Sequence, residues 1–103
     1  LEVVRWLGSN RIIYWGDLDV DGLVILSRMR NIYPHTESMM MDLQTLHANE
    51  PLHGAGNGSQ PICPTNLTTV ESEAFQYCLG KNIRLEQEKI PQTSVVSTLI
   101  TLV

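Results

Sequence analysis

One short stretch near the start of the chain restricts the fold more than any other. Arg11-Ile12-Ile13-Tyr14-Trp15 is β-branched and aromatic, and it runs through Gly16 into an acidic turn, Asp17-Leu18-Asp19-Val20-Asp21-Gly22. A run of that composition with no polar alternation predicts a strand buried on both faces, as in a parallel sheet. From Gly22 to Tyr33 the period becomes helical. Leu23, Leu26, Met29, Ile32 and Tyr33 share one face, Val24 and Ile25 widen it, and Ser27, Arg28, Arg30 and Asn31 lie opposite. Pro34 stops the helix. A buried strand, a tight acidic turn and an amphipathic helix form a β–α unit, which directs the chain toward an α/β fold.

The flanking sequence extends that pattern. In residues 1–7, Leu1, Val3, Val4 and Leu7 are spaced as on a short helix ended by Gly8. Ser38 to Met41 predicts a second strand, and Asp42 a cap for a short helix from Leu43 to Ala48. Residues 49–66 are rich in Asn, Gly, Pro and Ser and read as a loop, long enough to be functional or mobile. Thr68 or Thr69 is placed to cap a helix with Glu71 and Glu73 in its first turn, running to Leu79 and stopped by Gly80. Asn82 to Lys89 predicts a short charged helix broken by Pro91, and Gln92 to Val103 is weakly patterned. The order helix–strand–helix–strand–helix predicts a parallel sheet with flanking helices. A length of 103 residues is one domain's worth. The start at Leu1 predicts a piece of a longer protein.

Composition excludes some roles. Seven Lys and Arg against eleven Asp and Glu give a net charge of −4, which argues against a basic nucleic-acid coat or a polybasic membrane anchor. It leaves open an acidic site that meets phosphates through metal ions. Cys63 and Cys78 make no disulfide framework and predict a reduced, cytoplasmic protein. No apolar run approaches the ~18–20 residues that span a bilayer.

The acidic turn carries the chemistry. Three carboxylates within five residues repel one another unless solvent, a proton or a cation intervenes. A hard divalent cation is the natural partner, since Mg²⁺ takes one or two carboxylates and keeps waters for substrate phosphates. The plainer alternative is a solvated turn whose aspartates cap the next helix. An EF-hand loop is rejected, because its twelfth position is Arg28 and a strand precedes it. A haloacid-dehalogenase-type phosphatase would use Asp17 as nucleophile, but that pattern wants Thr or Val where Asp21 stands. The Toprim domain of topoisomerases, primases and nucleases has D-x-D at the end of a hydrophobic strand. Its topoisomerase VI A-subunit branch carries D-x-D-x-x-G, which Asp17, Asp19 and Gly22 match.

The wider sequence resembles one family. Tyr14-Trp15-Gly16-Asp17-Leu18-Asp19-Val20-Asp21-Gly22, a helix with Leu26 and Arg30, Pro34, Met41-Asp42, and Arg84-Leu85-Glu86-Gln87-Glu88-Lys89-Ile90-Pro91 together resemble the C-terminal domain of JetD. JetD is the nuclease subunit of the bacterial Wadjet plasmid-defence system. The likeness runs from about Leu7 to Leu99. It implies a Toprim-like, Rossmann-like α/β fold and cleavage of double-stranded DNA dependent on Mg²⁺ or Mn²⁺, with metal-activated water as nucleophile. It also implies partner subunits of an SMC-like defence complex, with a homodimer as a further assembly. Carried over, Asp17 and Asp19 are the catalytic metal ligands and Asp21 an auxiliary one. The earlier strand whose glutamate completes a Toprim site is missing, and Glu2, in the expected connecting helix, is a poor substitute. The chain alone is therefore expected to bind Mg²⁺ weakly and to cut DNA poorly or not at all.

Other residues have simpler readings. Glu86 and Arg84 are candidate accessory groups, with mutual pairing on a solvated face as the plainer role. Arg28 and Arg30 can reach phosphates or simply be solvated. His35, His47 and His53 have no zinc-like spacing with the cysteines. Met39-Met40-Met41 reads as buried strand, and Trp6 and Trp15 as core. A non-catalytic interaction domain is the alternative to either enzyme.

Overall fold

The structure, a computed structural model, describes residues 12–90 and the backbone of a strand at 2–5. The expectations for Trp6, Gly8 and Gln92–Val103 fall outside the described residues. A three-stranded sheet has the order β1 (Glu2–Arg5), β2 (Ile12–Trp15), β3 (Glu37–Ser38). β2 lies in the middle, with Ile12, Ile13 and Tyr14 all buried, as its lack of polar alternation predicts. It runs parallel to β3, with Ile13 opposite Glu37, and antiparallel to β1, with Val4 opposite Ile13. The first segment is thus a strand and not the expected helix. So short a helix does not nucleate by itself, whereas pairing with β2 satisfies the backbone of a Val-rich segment. The sheet is mixed, with one antiparallel edge strand.

Helix α1 (Val20–Ile32) crosses from β2 to β3, and Leu23 and Leu26 are fully buried. Its apolar face is narrower than the sequence implies, since Ile32 is 68% and Tyr33 44% exposed. Ser27, on the expected polar face, is buried. The methionine run is not a strand. β3 ends at Ser38 because Met40 has φ +58°, a left-handed conformation that no extended strand accommodates. Met39 and Met41 still point into the core.

Asp42 caps α2 (Leu43–Ala48), accepting from the Thr45 N–H at 2.8 Å. Asp42→Ala is expected to cost about 1 kcal/mol, read as a lower urea midpoint at unchanged slope, and Asp42→Asn to restore it. The loop then holds a 3₁₀ turn at Glu50–Leu52 and a two-residue strand, β4 (Gly54–Ala55). Helix α3 (Thr69–Lys81) opens with a full capping box between Thr68 and Glu71 and packs on α1 and α2. It runs through Gly80 and ends at Asn82, whose φ of +49° supplies the left-handed turn expected of the glycine. The segment after Asn82 is not the expected charged helix. β5 (Ile83–Arg84) pairs with β4, Leu85 bridges to Leu18, and only Gln87–Lys89 forms a 3₁₀ turn. The core gathers Ile13, Tyr14, Leu18, Leu23, Leu26, Met39, Met41, Leu46, Phe75 and Leu85.

Candidate functional site

The acidic turn leaves the carboxyl end of the central strand, where open α/β sheets place their ligands. Two close approaches set its shape. A Cβ on Gly22 would stand 2.0 Å from the Asp17 carbonyl oxygen, so the first turn of α1 folds back onto the strand end only with glycine there. Beneath it, the buried Tyr14 hydroxyl donates to the Gly22 carbonyl at 3.0 Å. Burial, with Asp19 and Asp17 nearby, pushes the Tyr14 phenol up to about 12, so it remains a donor.

Each aspartate is held by a different part of the chain. Asp19 caps α1, its Oδ1 accepting from the Gly22 N–H at 2.6 Å. Asp17 Oδ1 accepts from the Gln87 backbone N–H at 2.9 Å, across seventy positions of sequence. Asp21, in the first turn of α1, accepts from Asn57 Nδ2 at 2.7 Å through Oδ2. Burial raises the Asp19 carboxyl above its ordinary value of 3.8. The Gly22 N–H opposes that rise, Asp17 and Asp21 add to it, and Arg84 opposes it. Burial first, and the neighbouring carboxylates after it, make the Asp19 charge unfavourable, and a nearby cation would relieve that.

The second family-like string reaches this turn as a clamp. Leu18 and Leu85 exchange backbone hydrogen bonds of 2.9 and 3.1 Å, and this places Gln87 against Asp17. Glu86 pairs with Arg84 at 2.8 Å, the plainer of its two expected roles. Arg84 also acts on Asp19 through its charge. Of the other candidates, Arg28 is exposed, and Arg30 is occupied elsewhere. Arg30 forms a 2.7 Å ion pair with the buried Glu71, which also accepts from Ser38. Cys78 lies buried against the Leu18 carbonyl, its thiol pushed up to about 12 by burial and then by Asp19. His53 Nε2 lies 2.7 Å from the Leu46 carbonyl, and His47 packs edge-on against Tyr77.

Asn57, the Gln87 N–H and the Tyr14 hydroxyl were not foreseen as parts of the site. Gln87 lies inside a string singled out by its likeness. Asn57 carries no local signal, being one Asn in a polar loop.

The donor set suits a hard cation in an open site. Asp17 and Asp19 each commit one oxygen to a backbone N–H and leave the other without a hydrogen bond among the described residues. Mg²⁺ accepts such a pair and fills its remaining positions with water and substrate. No closed cage is present: among the described residues no group of three His, Cys, Asp or Glu side chains is gathered to hold a metal ion. The backbone register sets Glu2 opposite Trp15, at the end of the sheet from which the turn leaves, and not in a helix as expected.

Among the described residues no helix is long and apolar enough to cross a membrane. The family model described as Wadjet protein JetD, C-terminal, matches residues 1–99. No curated protein matches the sequence.

Proposed function

The chain belongs to the family of Wadjet protein JetD C-terminal domains, and from that premise we propose that it is a Toprim-like, metal-dependent DNA-cleaving domain. Membership assigns it a role in Wadjet, a multi-subunit system. The observation that carries the finer reading is the pair Asp17 and Asp19 at the carboxyl end of the central strand, each with one oxygen fixed and one without a hydrogen bond among the described residues. These two residues would hold Mg²⁺ or Mn²⁺, with Asp21 as an auxiliary partner. When bound, the ion would supply Lewis-acid polarisation of a phosphodiester oxygen. The chain's own groups do the positioning. The Gln87 and Gly22 N–H groups orient the two carboxylates, and Arg84 favours the ionised form of Asp19. Residues 1–103 act in this reading as one unit. At a net charge of −4 the chain supplies little phosphate affinity, so engagement of double-stranded DNA rests on the cation and on the partner subunits.

The test is cleavage of supercoiled plasmid by the protein with its Wadjet partners. Cutting is expected with Mg²⁺ or Mn²⁺ and is expected to stop with EDTA. Cutting that continues at full rate in EDTA would overturn metal dependence. Trapping of Asp17 by beryllofluoride would instead support phosphoryl transfer through that residue.

A further inference from the structure

The sheet is open on the β3 side. Its order is β1–β2–β3, so β3 is an edge, and no described strand pairs with its far side. The Met39 N–H donates to the Tyr14 carbonyl at 2.9 Å, and Tyr14 stands opposite Ser38 in the parallel register. Backbone groups alternate in direction along such a ladder, so the Ser38 N–H and C=O turn away from β2. Neither makes a hydrogen bond among the described residues. A cleft of about 670 Å³ lies beside this edge. Its walls are residues 34–38 and 40–42, around β3, and residues 65–68, Val70 and Glu71, at the start of α3. The lining holds the carboxylates of Glu37, Asp42 and Glu71 and, besides His35, one cation, Arg30. Arg30 is already paired with Glu71. Asp42 gives Oδ1 to the Thr45 N–H and leaves its other oxygen without a hydrogen bond among the described residues. Val70 is an exposed apolar group on the same wall, 52% accessible.

We propose that the β3 edge and its cleft are a docking site for an extended, basic segment of a partner polypeptide. An unpaired strand edge is a template for an added strand, whose main chain supplies affinity and whose side chains supply specificity. Here the Ser38 N–H and C=O take the main chain. A Lys or Arg side chain in the cleft meets Asp42, and an apolar neighbour covers Val70. Charge selects among the occupants. A second copy of the chain would set acidic rim against acidic rim, which is unfavourable across paired strands. Residues 91–103 of the chain itself contain no Lys or Arg. Nucleic acid is repelled by the same carboxylates. A partner of the multi-subunit system to which the family belongs fits the remaining requirement. The acidic turn takes no part in this surface, since Asp17, Asp19 and Asp21 are outside the lining.

The test titrates the chain with overlapping synthetic peptides that tile its Wadjet partner subunits, read by the chain's amide resonances. A peptide containing Lys or Arg is expected to shift residues 36–42 and 65–71. The same peptide N-methylated at alternate residues is expected to lose binding, because it can no longer pair as a strand. Asp42→Asn keeps the α2 cap and removes the charge, and is expected to weaken binding about tenfold, the worth of one charge-assisted hydrogen bond. Val70→Lys sets a cation on the cleft wall at an exposed position and is expected to weaken binding as well. Unfolding midpoints establish that both variants fold. No binding by any peptide at millimolar concentration overturns the proposal. So does binding that leaves residues 36–42 unshifted, or equal affinity in Asp42→Asn. Concentration-dependent shifts of the same residues in the chain alone assign the edge to a second copy and overturn it too.

Discussion

Arg30→Met is expected to destabilise the fold by about 3–5 kcal/mol, the usual cost of leaving one member of a buried ion pair without its partner. Glu71 is 4% exposed as a side chain and Arg30 12%. The guanidinium binds both carboxylate oxygens, at 2.7 and 3.1 Å, and also reaches the Thr36 and Asn66 carbonyls. One residue thus joins α1, the segment before β3 and the start of α3. Methionine keeps the apolar stem and removes only the charge and the donors. A domain stable by ~5–15 kcal/mol would lose a large share of that margin. Urea unfolding at neutral pH measures it.

The pH dependence has a defined sign. Burial alone would raise the Glu71 carboxyl. Hydrogen bonds from Arg30, Ser38 and the Thr68 N–H, together with the Arg30 charge, outweigh burial and hold it below its ordinary 4.5. A carboxyl depressed in the folded state stabilises the protein above its unfolded value, and that stability is lost as pH falls through the folded one. The wild type should therefore lose stability below about pH 4.5. In Arg30→Met burial is no longer opposed by Arg30, so protonating Glu71 relieves part of the damage. The gap between the two proteins should narrow on acidification. A gap that widens would assign the Arg30 effect to something other than its charge.

Asp19→Asn is expected to separate stability from function. Asparagine caps a helix as well as aspartate does, so the bond from the Gly22 N–H survives. The Asp19 carboxyl lies above its ordinary value in the folded state, which means that its ionised form is disfavoured there at neutral pH. Replacing it with a neutral isostere should leave the metal-free unfolding midpoint unchanged or raise it, while DNA cleavage is lost. If Asp19 were only a helix cap, the same stability would be seen with cleavage unchanged. A large fall in stability would mark the carboxylate as a structural group.

The parts of this arrangement readable from sequence are those fixed by neighbours in the chain. β2, the turn and α1 follow from local composition and period, and Asp42 and Thr68 announce their helices. The failures share a cause. Val3 and Val4 suit a helix stripe or an edge strand equally, and only pairing with β2 decides. Ile83 to Leu85 is extended because β4 and Leu18 offer it backbone partners, which outweighs the charged composition of its neighbours. Met40 turns the chain out of the strand in a left-handed conformation that nothing in the local composition announces. At the site, Asp17, Asp19 and Gly22 were legible as a spacing. Their partners Gln87 and Asn57 come from distant segments, the first placed by the Leu18–Leu85 bridge and the second by the bonds of Asn82 to Gly56 and Gly58.

The most direct test of the central claim is plasmid cleavage by the protein with its Wadjet partners in Mg²⁺, comparing wild type with Asp17→Asn/Asp19→Asn. Loss of cutting by several orders of magnitude in a variant with an unchanged unfolding midpoint and intact assembly is the predicted result. Wild-type cutting by that variant would contradict the assignment of the catalytic site to this turn.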